Sequence, residues 1–383
     1  MTRQQEFDLA IIGAGIAGAS TAYFASAGAS VLLLEAEEQP GLHSTGRSAA
    51  LFCESYGPLQ VRALTRASRA FLEAPPEGFA GLPLLRRRGV LHVGGDSDRQ
   101  AVEALLEHLS TEGGTVRRLR AGALLEQVPV LRPAVLTQGI LDDTAADMDV
   151  DALHQGFLRG ARANGAQLET RARVTGIERE PGGWRLDAGG REWRAAVLVN
   201  AAGAWADEVA RLAGVRPIGL QPRRRSAFLF EAPPGTATGE WPCVVGIAED
   251  FYFKPEAGLL LGSPANADPV PPQDVMPDDL DIAVGIDRIE RVTTLRIERP
   301  KRAWAGLRSF VADGDMVGGF DPAVEGFFWV AALGGYGLQT APAMGALSAA
   351  RLLGLPRPAW LADCGVSGSS LDPGRFVSGD DCV

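Results

Sequence analysis

Cysteine and histidine are scarce in this chain of 383 residues, four of each. Cys53, Cys243, Cys364 and Cys382 are far apart and form no CxxC pair. That fits a reducing compartment and offers neither a zinc site nor a disulfide framework. His43, His92, His108 and His154 show no HExxH spacing, which argues against hydrolytic zinc chemistry, and no metal is expected. A GxSxG elbow is missing too, so a serine hydrolase has little support. No apolar run is long enough to span a bilayer, and no signal peptide is expected before the first strand. Repeats and low-complexity tracts are lacking. Positive charge is in deficit, 37 Lys and Arg against 47 Asp and Glu for a net charge of −10. With a pI near 5.1, that balance speaks against a nucleic-acid or anionic-membrane partner. The expected location is the cytoplasm, with peripheral contact to an inner membrane left open. The remaining composition is ordinarily globular, 46% apolar and 22% charged, and the length suggests two lobes.

What is present is concentrated at the amino end. Asp8-Leu9-Ala10-Ile11-Ile12 reads as a buried strand running into Gly13-Ala14-Gly15-Ile16-Ala17-Gly18. A small-residue helix follows, then a second strand, Val31-Leu32-Leu33-Leu34, closed by Glu35. Gly13 makes the tight turn, Gly15 lets the backbone approach a pyrophosphate, and Gly18 lets helix and strand pack closely. The helix N-terminus offers free N–H groups and a partial positive charge to phosphate. Glu35 stands where an acid accepts from a ribose 2′-OH, which disfavours a 2′-phosphate. Strand, turn, helix, strand and acid in this order point to dinucleotide binding.

Further along, His43-Ser44-Thr45-Gly46-Arg47-Ser48 is a polar loop at the carboxyl end of that sheet, where ligands bind. Ser44, Thr45, Arg47 and Ser48 could donate to phosphates or to a ring. A helix over 61–72 and a strand over 88–93 are expected to open a second lobe, and an amphipathic helix covers 98–112 with His108 solvated. Asp149 and Asp151 cap a helix ended by Gly165, and residues 166–174 read as a strand with Val174 beside an adenine. A buried strand ending at Asn200 delivers Ala201-Ala202-Gly203-Ala204-Trp205. Arg223-Arg224-Arg225 begins an alternating strand, so Arg224 points away from its neighbours and only one face can serve a pocket. Near the end, a hydrophobic strand, the cluster Gly334-Gly335-Tyr336-Gly337 and a small-residue helix make a second dipolar N-terminus, suited to the electron-rich edge of a reduced flavin.

Taken together, the 13–18 turn with Glu35, the 43–48 loop, Asn200-Ala201-Ala202-Gly203-Ala204-Trp205, the 304–310 strand and the 334–340 cluster resemble the D-amino-acid oxidase superfamily of FAD oxidoreductases. Within it they resemble the D-arginine dehydrogenase branch. The resemblance implies an α/β fold: a Rossmann-like FAD-binding domain from discontinuous segments 1–55, 147–217 and 305–383. Residues 56–146 and 218–304 would form an α+β substrate domain with a mostly antiparallel sheet. FAD would be non-covalent, held by Gly13, Gly15, Ile16, Ala17, Gly18, Glu35 and Ala36, and by His43, Ser44, Thr45, Arg47, Ser48, Ala49 and Ala50. Val174, Ala202, Gly203 and Trp205 would join them, as would Gly306, Arg308, Gly334, Gly335, Tyr336, Gly337, Leu338, Gln339 and Thr340. Carried over position by position, Arg225 and Arg308 hold a substrate carboxylate and Tyr252 hydrogen-bonds to it. Tyr56 closes over the pocket, and the Gly335 carbonyl accepts from the substrate amine. Leu51, Cys53, Val90, Cys243, Val245 and Leu338 line the rest.

The chemistry implied is oxidative deamination of a D-amino acid. Hydride passes from Cα to flavin N5, and the imine hydrolyses to a 2-oxo acid and ammonia. A guanidinium fork suits a carboxylate, and hydride transfer needs a neutral, oriented amine more than a protein base, so few histidines are no obstacle. The branch carries an acid where Val90 stands and a histidine where Leu51 stands. Loss of that acid would cost a cationic substrate on the order of 2–5 kcal/mol. Neutral, hydrophobic D-amino acids are therefore expected, unless Glu54 points inward and restores D-arginine or D-lysine. Rival readings are a secondary-amine oxidase, a 2-hydroxy-acid dehydrogenase and, last, a non-catalytic flavin-binding protein. A dehydrogenase is expected over an oxidase; the electron acceptor, a quinone or oxygen, is left open.

Overall fold

Strand Glu6–Ile12 runs parallel to Val31–Leu34 on one side and to Arg191–Asn200 on the other. Residues 9–12, 31–34 and 195–199 of these strands are continuous aliphatic runs, as a parallel sheet covered on both faces requires. The computed structural model describes residues 6–111 and 116–376. Gln167–Glu169 extends the sheet beyond Val31–Leu34, and Phe327–Ala331 pairs in parallel with the end of Arg191–Asn200. Residues 166–174, expected as one strand, are two unconnected pieces. Gln167–Glu169 stays in the parallel sheet, whereas Val174–Glu180 starts an antiparallel ribbon with Gly183–Ala188. The break lies at Arg171, whose φ is 53°, a left-handed value that interrupts a strand. Helix Ile16–Ala25 lies on one face against Gly337–Leu352; a Cβ on Gly345 would come 2.8 Å from the Ser20 carbonyl carbon, so small residues allow this approach.

The second sheet is built around Gln221–Phe230, which pairs antiparallel with Arg302–Phe310 and with Leu259–Ser263. Beyond these lie Tyr252–Glu256, Cys243–Gly246, Val90–Gly94, Gln138–Asp142 and Val116–Arg120. All named pairings in it are antiparallel except Cys243–Gly246 with Val90–Gly94. The 56–146 stretch serves both cores. Helix Leu59–Glu73 buries Val61, Leu64 and Leu72 with the first sheet, while Leu91 and Val93 belong to the second. Observed helix Arg99–Thr111 matches the expected amphipathic one up to residue 111, the expected end at Glu112 lying outside the described residues. Cys382 also lies outside them. Asp149 accepts from the Ala152 N–H at 2.8 Å, the cap its spacing implies.

Candidate active site

The turn after the first strand is built by close backbone contacts. Gly13 has φ 99°, and a Cβ there would lie 2.5 Å from the Ala201 carbonyl oxygen. A Cβ on Gly18 would lie 1.8 Å from the Gly13 carbonyl oxygen, so Gly18 serves packing behind the turn. Gly15 differs: its φ is −68°, and a Cβ would meet only Thr45 Oγ1, at 3.3 Å. Its missing side chain is not required by the protein. The N-cap residue of helix Ile16–Ala25, Gly15, supplies no side-chain cap and the first turn holds no acid, leaving an electropositive end facing a cavity of about 470 Å³. Glu35 accepts from the N–H groups of Ala14 and Glu37, both at 3.0 Å. Thr45 Oγ1 accepts from Ile16 N–H at 3.0 Å, and Ser44 Oγ donates to the Leu307 carbonyl at 2.7 Å. His154 Nε2 donates to the Ala14 carbonyl at 2.8 Å, its ring kept neutral by burial, which lowers its pKa.

The cavity lining comprises Gly13, Gly15, Ile16, Ala17, Glu35 and Ala36, then His43, Ser44 and Thr45, with Val174, Ala202, Gly203, Trp205 and Gly334 closing it. His43 lies against Trp205, ring centroids 4.8 Å apart. Several residues expected at the cofactor stand outside both this cavity and the next. Arg47 Nη2 pairs with Asp274 at 2.6 Å while Nη1 donates to the Val275 and Ala305 carbonyls, so the guanidinium ties its loop to the 274–275 segment and to strand Arg302–Phe310. Gly306 makes room for it, a Cβ there falling 3.3 Å from Arg47 Cβ. Thr340 Oγ1 donates to the Tyr336 carbonyl at 2.9 Å, Gly337 begins helix Gly337–Leu352 beside Leu333, and the Tyr336 ring meets Tyr56 edge-on at 5.1 Å. Burial pushes the Tyr336 phenol up to about 12.

A second cavity, of about 140 Å³, opens where residues 334–335 and 307–309 pass from one space to the other. Strand alternation divides the lining: Leu307 and Ser309 face the first cavity, Arg308 the second. Arg225 reaches the same space from the neighbouring strand, as do Tyr56 and Tyr252. Arg308 Nη1 donates to Tyr56 Oη at 3.3 Å, and Arg225 Nε donates to the Asn266 carbonyl at 2.6 Å. Among the described residues neither arginine has a carboxylate partner. Desolvation and the charge of Arg308 hold Arg225 below the usual guanidinium range. Arg224, on the other face, pairs with Asp281 at 3.1 Å. Gly335 leaves room for Arg308, since a Cβ there would lie 2.6 Å from its Cζ.

Leu51, Cys53, Val90, Cys243, Val245 and Leu338 line this cavity, with Ser48, Ala49, Ala50 and Gln339 at its flank. Both cysteine thiols are raised to about 12 by burial, so they are wall atoms rather than nucleophiles. Gln339 is spent on the protein, its Oε1 accepting from Cys53 N–H at 3.1 Å and its Nε2 donating to Thr65 Oγ1 at 3.0 Å. Glu54 does not face the cavity; its Oε1 pairs with Arg69 Nε at 2.6 Å. The lining also includes His92, Leu105, Leu109 and the exposed Glu249, which the sequence reading did not place here. For His92 a signal existed: it stands two residues after Val90 on one strand, hence on the same face.

Comparison with known proteins gives this geometry a lineage. The DAO family of FAD dependent oxidoreductases matches residues 8–351. The chain belongs to it. Hydrogen cyanide synthase subunit HcnC of Pseudomonas aeruginosa is 26% identical over 373 residues, covering 84% of this chain and 86% of that one. Glycine oxidase of Bacillus licheniformis is 25% identical over 375 residues, covering 92% and 95%. Among solved structures, glycine oxidase from Geobacillus kaustophilus superposes with a TM-score of 0.82 at 22% identity, covering 92% and 96%, a likeness of fold.

FAD is the cofactor of this family, and the residues present suit it. A helix N-terminus with no acid in its first turn faces the larger cavity beside Gly15, where a Cβ would meet only Thr45 Oγ1. A second helix, Gly337–Leu352, begins at the junction of the two cavities. The arrangement is that of an FAD-dependent amine or amino-acid oxidoreductase. No helix among the described residues is long and apolar enough to cross a membrane, and no group of three or more His, Cys, Asp or Glu among them is placed to hold a metal.

Proposed function

We propose that the protein oxidatively deaminates neutral, mainly hydrophobic D-amino acids, with FAD bound non-covalently in the larger cavity and substrate in the smaller. The observation carrying this reading is the pair of cations without an acid: Arg225 and Arg308, flanked by two tyrosine hydroxyls, converge on one cavity. An α-carboxylate satisfies both guanidinium groups and relieves their mutual repulsion. Tyr252 and Tyr56 then hydrogen-bond to substrate or hold Arg308 in place, and the Gly335 carbonyl accepts from the amine. Bound FAD supplies the two-electron acceptor: the Cα–H electron pair leaves with hydride, and water turns the imine into a 2-oxo acid and ammonia. In this division residues 1–55, 147–217 and 305–383 hold FAD, and residues 56–146 and 218–304 hold substrate.

Cavity size favours a substrate with a side chain. The cavity, about 140 Å³ and walled by Leu51, Val90, Val245 and Leu338, has apolar room for a side chain beyond the α-carbon. Apolar Val90 and Leu51 and the outward pairing of Glu54 favour a neutral side chain over D-arginine or D-lysine. The dehydrogenase role rests on the resemblance to the D-arginine dehydrogenase branch. The test is anaerobic flavin bleaching by D- and L-leucine, methionine, phenylalanine and arginine, by sarcosine and by a 2-hydroxy acid, with ammonia assayed. Fast bleaching by neutral D-amino acids with ammonia release is expected. A clear preference for D-arginine, for sarcosine or for the hydroxy acid overturns the reading.

A further inference from the structure

His92 stands at the far end of the substrate cavity from the arginine pair, on a face that the strand register defines. His92 pairs with Val245, and Val245 pairs with Tyr252, so the three side chains lie in one row across the sheet face. Tyr252 is at the guanidinium end. Two strand spacings, roughly 10 Å, separate its Cα from that of His92. Between them the walls are Val245, Val90 and Leu51, all apolar. Leu109, buried with Ile140, closes the space beyond His92.

The imidazole is a neutral polar side chain lining this end of the cavity, and no hydrogen bond joins its ring nitrogens to another of the described residues. Burial pushes its pKa down to about 4, against a smaller opposing pull from Asp142. It therefore faces substrate uncharged, with one nitrogen to donate and one to accept. A polar ring that faces a cavity with no protein partner marks a place where a ligand can supply one.

We propose that His92 is a specificity-determining residue that selects, among neutral D-amino acids, those whose side chain has an apolar stem and a neutral hydrogen-bonding tip, an amide or hydroxyl. This inference rests on the substrate reading above. With the carboxylate on Arg225 and Arg308, the stem crosses Val245 and Val90 and the tip meets the imidazole. An unbranched stem of two or three carbons suits the span, which makes D-glutamine the probe and D-methionine its apolar match of similar length. Neither a cationic nor an anionic tip gains from a neutral ring in this setting.

The experiment uses holoenzyme of wild type, His92→Leu and His92→Gln, with steady-state rates and anaerobic flavin bleaching by D-glutamine and D-methionine. In His92→Leu, kcat/KM for D-glutamine should fall about fivefold to tenfold relative to D-methionine, the range of one neutral hydrogen bond, with the change in KM. His92→Gln should recover most of that ratio. If His92→Leu alters both substrates by the same factor, or alters kcat alone, the specificity role is overturned while the deamination reading stands on the bleaching by D-methionine. If no D-amino acid bleaches wild-type flavin, the deamination reading itself falls, and this inference with it.

Discussion

The two cavities are made of different material. About half of the larger cavity's lining is glycine, alanine, serine and threonine, and much of it comes from short contiguous runs, 34–37, 41–45 and 201–205 among them. The smaller is lined by side chains gathered from strands and helices far apart in the chain, with Tyr56, His92, Arg225, Tyr252 and Arg308 each from a different element or loop. A backbone-lined site leaves glycines in the sequence, because only glycine permits the contacts that shape it. A side-chain-lined site leaves ordinary residues whose importance depends on strand register. Damage should follow the same division: changes in the first abolish the holoprotein, and changes in the second spare the flavin and alter chemistry or selectivity.

The sharpest way to break this comparison is at the glycines. Gly18→Val places atoms against the Gly13 carbonyl, where even a Cβ comes to 1.8 Å, well past ordinary overpacking of about 1–3 kcal/mol. No yellow, folded protein is expected, read from the ratio of flavin to protein absorbance and from circular dichroism. Gly15→Ala is the control, since its backbone suits any residue and its Cβ meets only Thr45 Oγ1 at 3.3 Å. The apoprotein should melt as wild type does, while FAD binds at least tenfold more weakly in a fluorescence titration. Normal FAD affinity in Gly15→Ala would remove the close approach of ligand to this turn.

Next in size are the arginines. Arg308→Met should lower kcat/KM for D-methionine by roughly 30-fold to several thousandfold, from about 2–5 kcal/mol for an unpaired carboxylate. Flavin content should stay full. Apparent Tm should not fall, because among the described residues the only hydrogen bond lost is the 3.3 Å one to Tyr56, and one of two like charges is removed. Arg225→Met should lose as much activity but melt lower than Arg308→Met, since it frees the Asn266 carbonyl. A drop of several degrees in Arg308→Met would mean that Arg308 holds the fold together rather than a substrate.

Legibility in the sequence follows the same line. Gly13, Gly18 and Glu35 were readable because a left-handed turn, a sub-van der Waals approach and a strand-end acid restrict residue type on their own. Arg225 and Arg308 were found through the resemblance; three adjacent arginines in an alternating strand did not by themselves say which face holds a pocket. His92 shares a strand face with Val90, but what that face looks onto depends on parallel pairing with Cys243–Gly246, some 150 residues on, a partner that no local pattern announces. Arg47 misled for a related reason. Its loop position suits a phosphate, but Asp274 and the Val275 and Ala305 carbonyls take up the guanidinium.

A smaller effect concerns pH. The folded-state pKa of His92 is about 4 and that of His154 is also lowered, while an unfolded histidine titrates near 6.5. The unfolded chain therefore binds more protons between those values. Stability is full above about pH 6.5 and declines as pH falls toward 4, by a few kcal/mol in all. His92→Leu removes its share. The loss in urea midpoint between pH 7.5 and pH 5 should be smaller in the variant than in wild type, and identical losses would show that His92 is not held neutral.

The smallest expected effect tests the boundary of the substrate cavity. Glu54 is the nearest acid in sequence to the pocket residues Cys53 and Tyr56, yet its carboxylate is given to Arg69. Glu54→Gln leaves Arg69 with Glu73, whose Oε1 is 2.8 Å from Arg69 Nη1, so stability should change by no more than about 1 kcal/mol. The ratio of kcat/KM for D-arginine to that for D-methionine should stay within about twofold, because a charge turned out of the cavity and already neutralised contributes little field inside it. A tenfold fall in that ratio would require the Glu54 carboxylate to swing inward with substrate bound. The smaller cavity would then owe its charge preference to a residue that moves, and the contrast between a site fixed by backbone and a site fixed by strand register would no longer hold.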